Sequence, residues 1–422
     1  MKQIKTYDCG VRLIHEYFPE RKTAKIAFFV ASGSGFDLKN KEGIAHYFEH
    51  MFFKSTKNRS AKKILEEIDY LGGNHNAFTS FDKTCYYGTV IADDAEKFFE
   101  MLSDCFFNGL FLENEMETEK GVVCSEIDKY EDEFMDCCAD ALQNKMFEGT
   151  NFAHPILGSK KTVMSVTPDD LREYRTNNNG PGKLIVSIFG GVTFEKADEL
   201  VKKYVLPNFT VKEEPVIYKN FNIFTPSNQN SLITTTKDTK QVYFIDAKPT
   251  IRYGDGVDFL KLKIANSMFG GSISSRLFDR MREKEGIVYY ASSYLSTLPI
   301  SGTYNAAFIT DKNSAEKAVK AYFEEIQKVL DNGFTEKEFQ NALHMYKSEV
   351  LMREDNIDLK AHMEASTYLY TGQLYDVDED LKELECLDLD DVNKTFINTL
   401  KQNSVYSIVM KDNDENILKL LK

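Results

Sequence analysis

Gly43-Ile44-Ala45-His46-Tyr47-Phe48-Glu49-His50-Met51 is the stretch on which the reading of this chain turns. On a helix, His46 and His50 stand one turn apart on one face, so both imidazoles reach a single ion. Glu49 lies three residues from His46 and next to His50, where a carboxylate can take the proton of a water at that ion. The order His-x-x-Glu-His reverses the commoner His-Glu-x-x-His zinc pattern. With 7 histidines in 422 residues, chance supplies roughly 0.01 such matches per chain. The pattern therefore outweighs the bland alternative, an amphipathic helix with two half-buried histidines.

A catalytic zinc takes three protein ligands and keeps one position open. Candidates for the third crowd the acidic stretch that follows: Glu113, Glu115, Glu117, Glu119, Glu126, Asp128 and Glu131. Glu119 and Glu126 are two helical turns apart and share a face, whereas Cys124 points roughly to the opposite side. Spacing alone leaves Glu119 and Glu126 open.

The segment resembles the pitrilysin/insulinase/mitochondrial-processing-peptidase family of zinc metallopeptidases. The resemblance rests on His46-x-x-Glu49-His50 with Glu126 downstream and extends to Phe53-Lys54-Ser55-Thr56, where Ser55 replaces a glycine. It continues through Gly72-Gly73-Asn74-His75-Asn76-Ala77-Phe78-Thr79 and, in the second half, Ser275-Arg276-Leu277 with Arg282-Glu283-Lys284-Glu285-Gly286 and Tyr289. Asp82 stands where a glutamate is usual. The resemblance implies that His46, His50 and Glu126 bind Zn²⁺, with Glu119 as a supporting acid and Glu49 as general base. It also implies that Asn76 and Ala77 lie on a strand edge that pairs with an extended peptide, and that Arg282 and Tyr289 stabilise the oxyanion. The implied fold class is α+β: two homologous αβ domains, each a mixed sheet backed by helices, as in processing-peptidase/LuxS-like metallohydrolases.

Periodicity fits that layout. Strands are predicted at Val11–His15, Lys25–Ala31, Phe78–Ile91 and Leu184–Phe189, with one long acidic helix from Glu113 to about Lys145. Pro207, Pro215, Pro226 and the polar run Ser227–Ser231 mark a linker, after which strand and helix alternate again. The expected domains are 1–210, carrying the zinc site, and 239–422, carrying Arg282 and Tyr289, joined by 211–238.

Composition removes several function classes. With 52 Lys+Arg against 66 Asp+Glu, the formal charge is −14, which disfavours nucleic acid and anionic lipid as partners. No window approaches the roughly 18–20 apolar residues of a membrane span. Seven cysteines without a Cys-x-x-Cys fit reduced thiols and a cytoplasmic location. The expectation is a zinc endopeptidase acting on peptides or unfolded segments, as a homodimer whose Arg282 and Tyr289 complete the partner's site. The rivals are a non-catalytic subunit of the same fold and a different metalloenzyme.

Overall fold

The computed structural model describes residues 2–226 and 229–421; Met1, Ser227, Asn228 and Lys422 lie outside the described residues, the middle two within the expected linker. The first half runs through β1 (Lys2–Thr6), β2 (Arg12–Tyr17), β3 (Thr23–Val30), α1 (Ile44–His50), α2 (Ala61–Leu71), β4 (Asn74–Thr79) and β5 (Thr84–Ile91). It continues with α3 (Ala95–Asn108), α4 (Glu113–Asp132), α5 (Phe134–Met146), α6 (Lys160–Met164), α7 (Pro168–Asn178), β6 (Leu184–Gly190) and α8 (Phe194–Tyr204). The second half repeats this order from β2 onward. β7 (Ser231–Thr236), β8 (Gln241–Thr250), α9 (Val257–Phe269), α10 (Arg276–Phe278), β9 (Tyr290–Leu298) and β10 (Ser301–Asp311) come first. Then follow α11 (Ala315–Asn332), α12 (Glu336–Glu354), α13 (Ile357–Thr371), α14 (Val377–Glu385), α15 (Leu389–Leu400), β11 (Val405–Met410) and α16 (Glu415–Leu420).

Strand pairing shows the duplication directly. One sheet runs β1-β2-β6-β3-β5-β4 and the other β7-β11-β8-β10-β9. Each has one parallel pair, β2 with β6 and β7 with β11, and antiparallel pairing through the rest. Without β1 the two orders coincide.

Each sheet is covered on both faces, and neighbouring side chains on one central strand show how. In β3, Phe28 meets Phe99 and Phe106 of α3, while Phe29 faces His362 of α13. In β8, Phe244 meets Tyr322 of α11, while Tyr243 faces Phe134 of α5. Alternation sends successive residues to opposite faces, so the middles of these strands, Ile26–Val30 and Val242–Ile245, read as apolar runs.

These contacts overturn the linear domain division. One compact unit comprises 1–128, 154–218 and 353–375; the other comprises 129–153, 219–352 and 376–422. Helix α5, written in the first half, covers β8 and β11, and its counterpart α13, written in the second, covers β3 and β6. Three smaller expectations also change. Phe78–Ile91 is two strands, because the chain reverses at residues 80–83, where Ser80 donates its N–H to the Lys83 carbonyl (2.8 Å). The acidic helix breaks at Glu133, whose ψ is 92°. The end of the expected linker, Ser231–Thr236, is strand. Among the described residues no helix is long and apolar enough to cross a membrane.

Candidate metal centre

Helix α1 is held at its start by a buried carboxylate. Asp37 accepts the N–H groups of Gly43 (2.6 Å) and Ala45 (2.9 Å), two donors with no partner inside the helix. Burial pushes the Asp37 carboxyl well above the usual range. Gly43 enters the helix at φ 91°, where a Cβ would strike the Leu157 carbonyl. Farther along, Tyr47 donates its hydroxyl to the Met116 carbonyl of α4 (2.7 Å), and Phe48 packs on Phe111 and Tyr174. One face of α1 is thus fixed in the core and opposed to α4.

The opposition of α1 and α4 brings the candidate ligands together. Nitrogen atoms of His46 and His50 and a carboxylate oxygen of Glu126 lie within 4.8 Å of one another, and no other such set occurs among the described residues. Glu126 Oε2 stands 3.2 Å from His50 Nε2 and 3.8 Å from His46 Nε2. Ligand atoms about 2.1 Å from a tetrahedral zinc lie about 3.4 Å apart. Two imidazoles and a carboxylate at these separations therefore fit the ion in both chemistry and spacing.

The surrounding groups set the ligand states. His50 Nδ1 bonds Glu119 Oε1 at 3.0 Å, which turns Nε2 toward Glu126. Glu119 in turn holds Lys54 Nζ at 2.5 Å. The hydrogen bond from His50, aided by Lys54, keeps the Glu119 carboxyl below its ordinary range. Burial pushes His46 down to about 3, with the neighbouring His50 adding to the effect, so its imidazole is neutral and free to ligate. Burial works against charge on His50, but the Glu119 bond and the charges of Glu49 and Glu126 leave it above its usual value. Glu49 is raised by burial, which outweighs His50 and the bond from Thr79 Oγ1 to Oε2 (3.0 Å).

The structure thus assembles His46, Glu49, His50, Glu119 and Glu126 in one unit. Cys124 and His75 are outside the ligand set; His75 makes an edge contact with Phe53 instead. Asn76 and Ala77 lie on β4, the edge strand of its sheet, and the Ala77 N–H bonds the Asn76 side-chain oxygen at 2.9 Å. Arg282 and Tyr289 belong to the other unit. Arg282 sits on a π-helical turn, Asp279–Lys284, its guanidinium 5.0 Å from the Phe278 ring centroid. That turn is tied down by Arg280, which binds Glu285, Glu324 and Glu325. Tyr289 is 75% exposed. Sequence reasoning assigned no role to Asp37, Lys54 or Thr79. Lys54 and Thr79 stand inside the quoted motifs, but what they touch depends on chain packing. Ser55 is explained as well: its hydroxyl binds Glu115 (2.5 Å) and accepts the Ala61 N–H (3.0 Å).

Fold and site together define a two-domain metallopeptidase-like architecture. Residues 12–160 match the family described as Insulinase (Peptidase family M16), and residues 165–346 match Peptidase M16 inactive domain. The chain is 31% identical to the uncharacterized zinc protease YmxG of Bacillus subtilis, over 92% of this chain and 94% of that one. It is 28% identical to an uncharacterized zinc protease of Rickettsia felis, over 96% of each. A crystal structure of a protease from Helicobacter pylori superposes with a TM-score of 0.89 at 19% identity, covering 97% of this chain and 99% of that one. A peptidase M16 inactive domain from Pseudomonas fluorescens gives 0.85 at 17% identity, covering 97% of each chain. The chain belongs to the M16 insulinase family.

Proposed function

We propose that this chain is a zinc-dependent endopeptidase that hydrolyses peptides or unfolded polypeptide segments. The observation that carries the reading is the convergence of His46, His50 and Glu126 beside the half-buried Glu49. Zinc held by those three residues would polarise the scissile carbonyl and acidify a water. Glu49 takes the proton of the attacking water and returns it to the leaving amine. Burial raises its pKa, which favours holding that proton between the two transfers. Thr79 holds one Glu49 oxygen, leaving the other for the proton. Asn76 and Ala77, on an edge strand, receive substrate backbone by β-augmentation, which grips an extended peptide with little regard to its side chains. Arg282 and Tyr289 donate hydrogen bonds to the tetrahedral oxyanion.

The assembly proposed is a homodimer with sites completed in trans, and the location cytoplasmic, where seven free cysteines are at home. Glu49→Gln should keep its zinc and lose cleavage of a quenched peptide library by roughly 10²–10⁴-fold. A variant that cleaves as well as wild type would end the proposal. Mixed Glu49→Gln and Tyr289→Phe chains should recover activity; a verified mixed dimer without recovery removes the trans arrangement.

A further inference from the structure

Lys54 carries an arrangement that the proposed reaction does not itself require. Its ammonium lies 2.5 Å from Glu119 Oε2, while the other oxygen of that carboxylate bonds His50 Nδ1 at 3.0 Å. Glu119 is thus gripped at both ends, with an imidazole on one oxygen and a cation on the other. Both partners are shielded: the Lys54 side chain is 30% exposed and that of Glu119 10%. Three carboxylates, Glu49, Glu119 and Glu126, crowd the two histidines, and Lys54 brings a cation against one of them.

The duplicated half supplies an internal control. Laying α9 on α1 so that Met268-Phe269 fall on Met51-Phe52 puts Lys263, Asn266 and Ser267 at the places of His46, Glu49 and His50. The buried pattern agrees, with Leu262, Ile264 and Ala265 matching Ala45, Tyr47 and Phe48. Gly271 then falls at the place of Lys54, and Ala342 of α12 at that of Glu119. A bond from an edge-strand hydroxyl survives there, since Ser293 Oγ donates to Asn266 Oδ1 at 2.8 Å just as Thr79 donates to Glu49. The fold keeps that bond with or without the histidines. The Lys–Glu pair is present only where the histidines are.

We infer that Lys54 is a positioning residue for the metal ligand His50, acting through Glu119: it locks the carboxylate in the orientation that aims the imidazole. The inference rests on the zinc reading above. Partners of this kind typically contribute 10–100-fold in metal affinity. Zinc affinity, measured by competition with a chromophoric chelator, should weaken about 10-fold in Lys54→Met and Glu119→Gln, and the double variant should be no weaker than either. Lys54→Arg, which keeps the charge and the donor, should bind within about 2-fold of wild type. Lys54→Gln repeats the test if the Met variant melts early. Unchanged or tighter binding by both neutral variants, or additive losses in the double variant, overturns the inference while leaving the enzyme reading intact. A wild type that takes up no zinc overturns both.

Discussion

Glu126 and Glu349 sit at the same place in the two halves and do different things. Set α12 on α4 by their first glutamates, and four buried positions coincide: Met116 with Phe339, Glu119 with Ala342, Val123 with Tyr346, Ile127 with Val350. Ser125-Glu126 then matches Ser348-Glu349. Glu126 faces two histidines at ligand distance, whereas Glu349 is exposed and faces no such set among the described residues. One sheet topology therefore carries a candidate metal centre in one half and, among the described residues, none in the other. The difference lies in a few side chains on α1 and α4, not in the backbone that carries them. Fold and function are separable in this chain because the duplicated backbone provides the helix pair and the side chains provide the chemistry.

The comparison can be broken in four ways, from the largest expected effect to the smallest. His50→Ala should take zinc content from one per chain to none, measured by metal analysis after dialysis, while Ser267→Ala at the matching place leaves one per chain. Loss of zinc in the second variant would mean that the halves share the metal. A triple graft of Lys263→His, Asn266→Glu and Ser267→His should still bind one zinc per chain, because Ala342 cannot do what Glu119 does and Glu349 is exposed. Two zinc ions per chain would show that histidines alone suffice. Asp37→Ala should lower Tm by several degrees, since two N–H groups at the start of α1 lose a buried acceptor worth about 1–3 kcal/mol. An unchanged Tm would show that water replaces the carboxylate.

The smallest effect concerns the exchanged helices. Burial raises both Glu364 on α13, in spite of its bonds from Lys2 (2.7 Å) and the Tyr375 N–H (3.0 Å), and Asp140 on α5, which is pushed up to about 6 with nearby Asp136 adding to it. An acid raised on folding binds its proton more tightly in the folded state. Stability then falls as pH rises from about 4, the unfolded value, through about 6, and the penalty persists above. Asp140→Asn should gain roughly 1 kcal/mol at pH 7.5, discounted for solvent access, and nothing at pH 3.5. A gain that does not depend on pH would assign the effect to packing.

The histidine pair of the candidate site and Glu49 beside it were legible in residues 43–51, because helical periodicity fixes which side chains share a face. The choice between Glu119 and Glu126 was not legible from spacing, since both lie on one face two turns apart. Packing against α1 separates them: Glu126 meets both Nε2 atoms while Glu119 reaches Nδ1 of His50. Lys54 was invisible for a similar reason, because a lysine in a loop has no period to betray its partner.

The sequence by itself determined the two repeats of strand and helix, the histidine pair and the carboxylate of Glu49 between them, since these depend on contacts a few residues apart. Tertiary structure alone decided that α5 and α13 trade sheets, that the long acidic helix breaks at Glu133, and that the Lys54–Glu119–His50 chain exists. Those outcomes depend on which buried faces meet across tens to hundreds of residues, and local propensity carries no record of that.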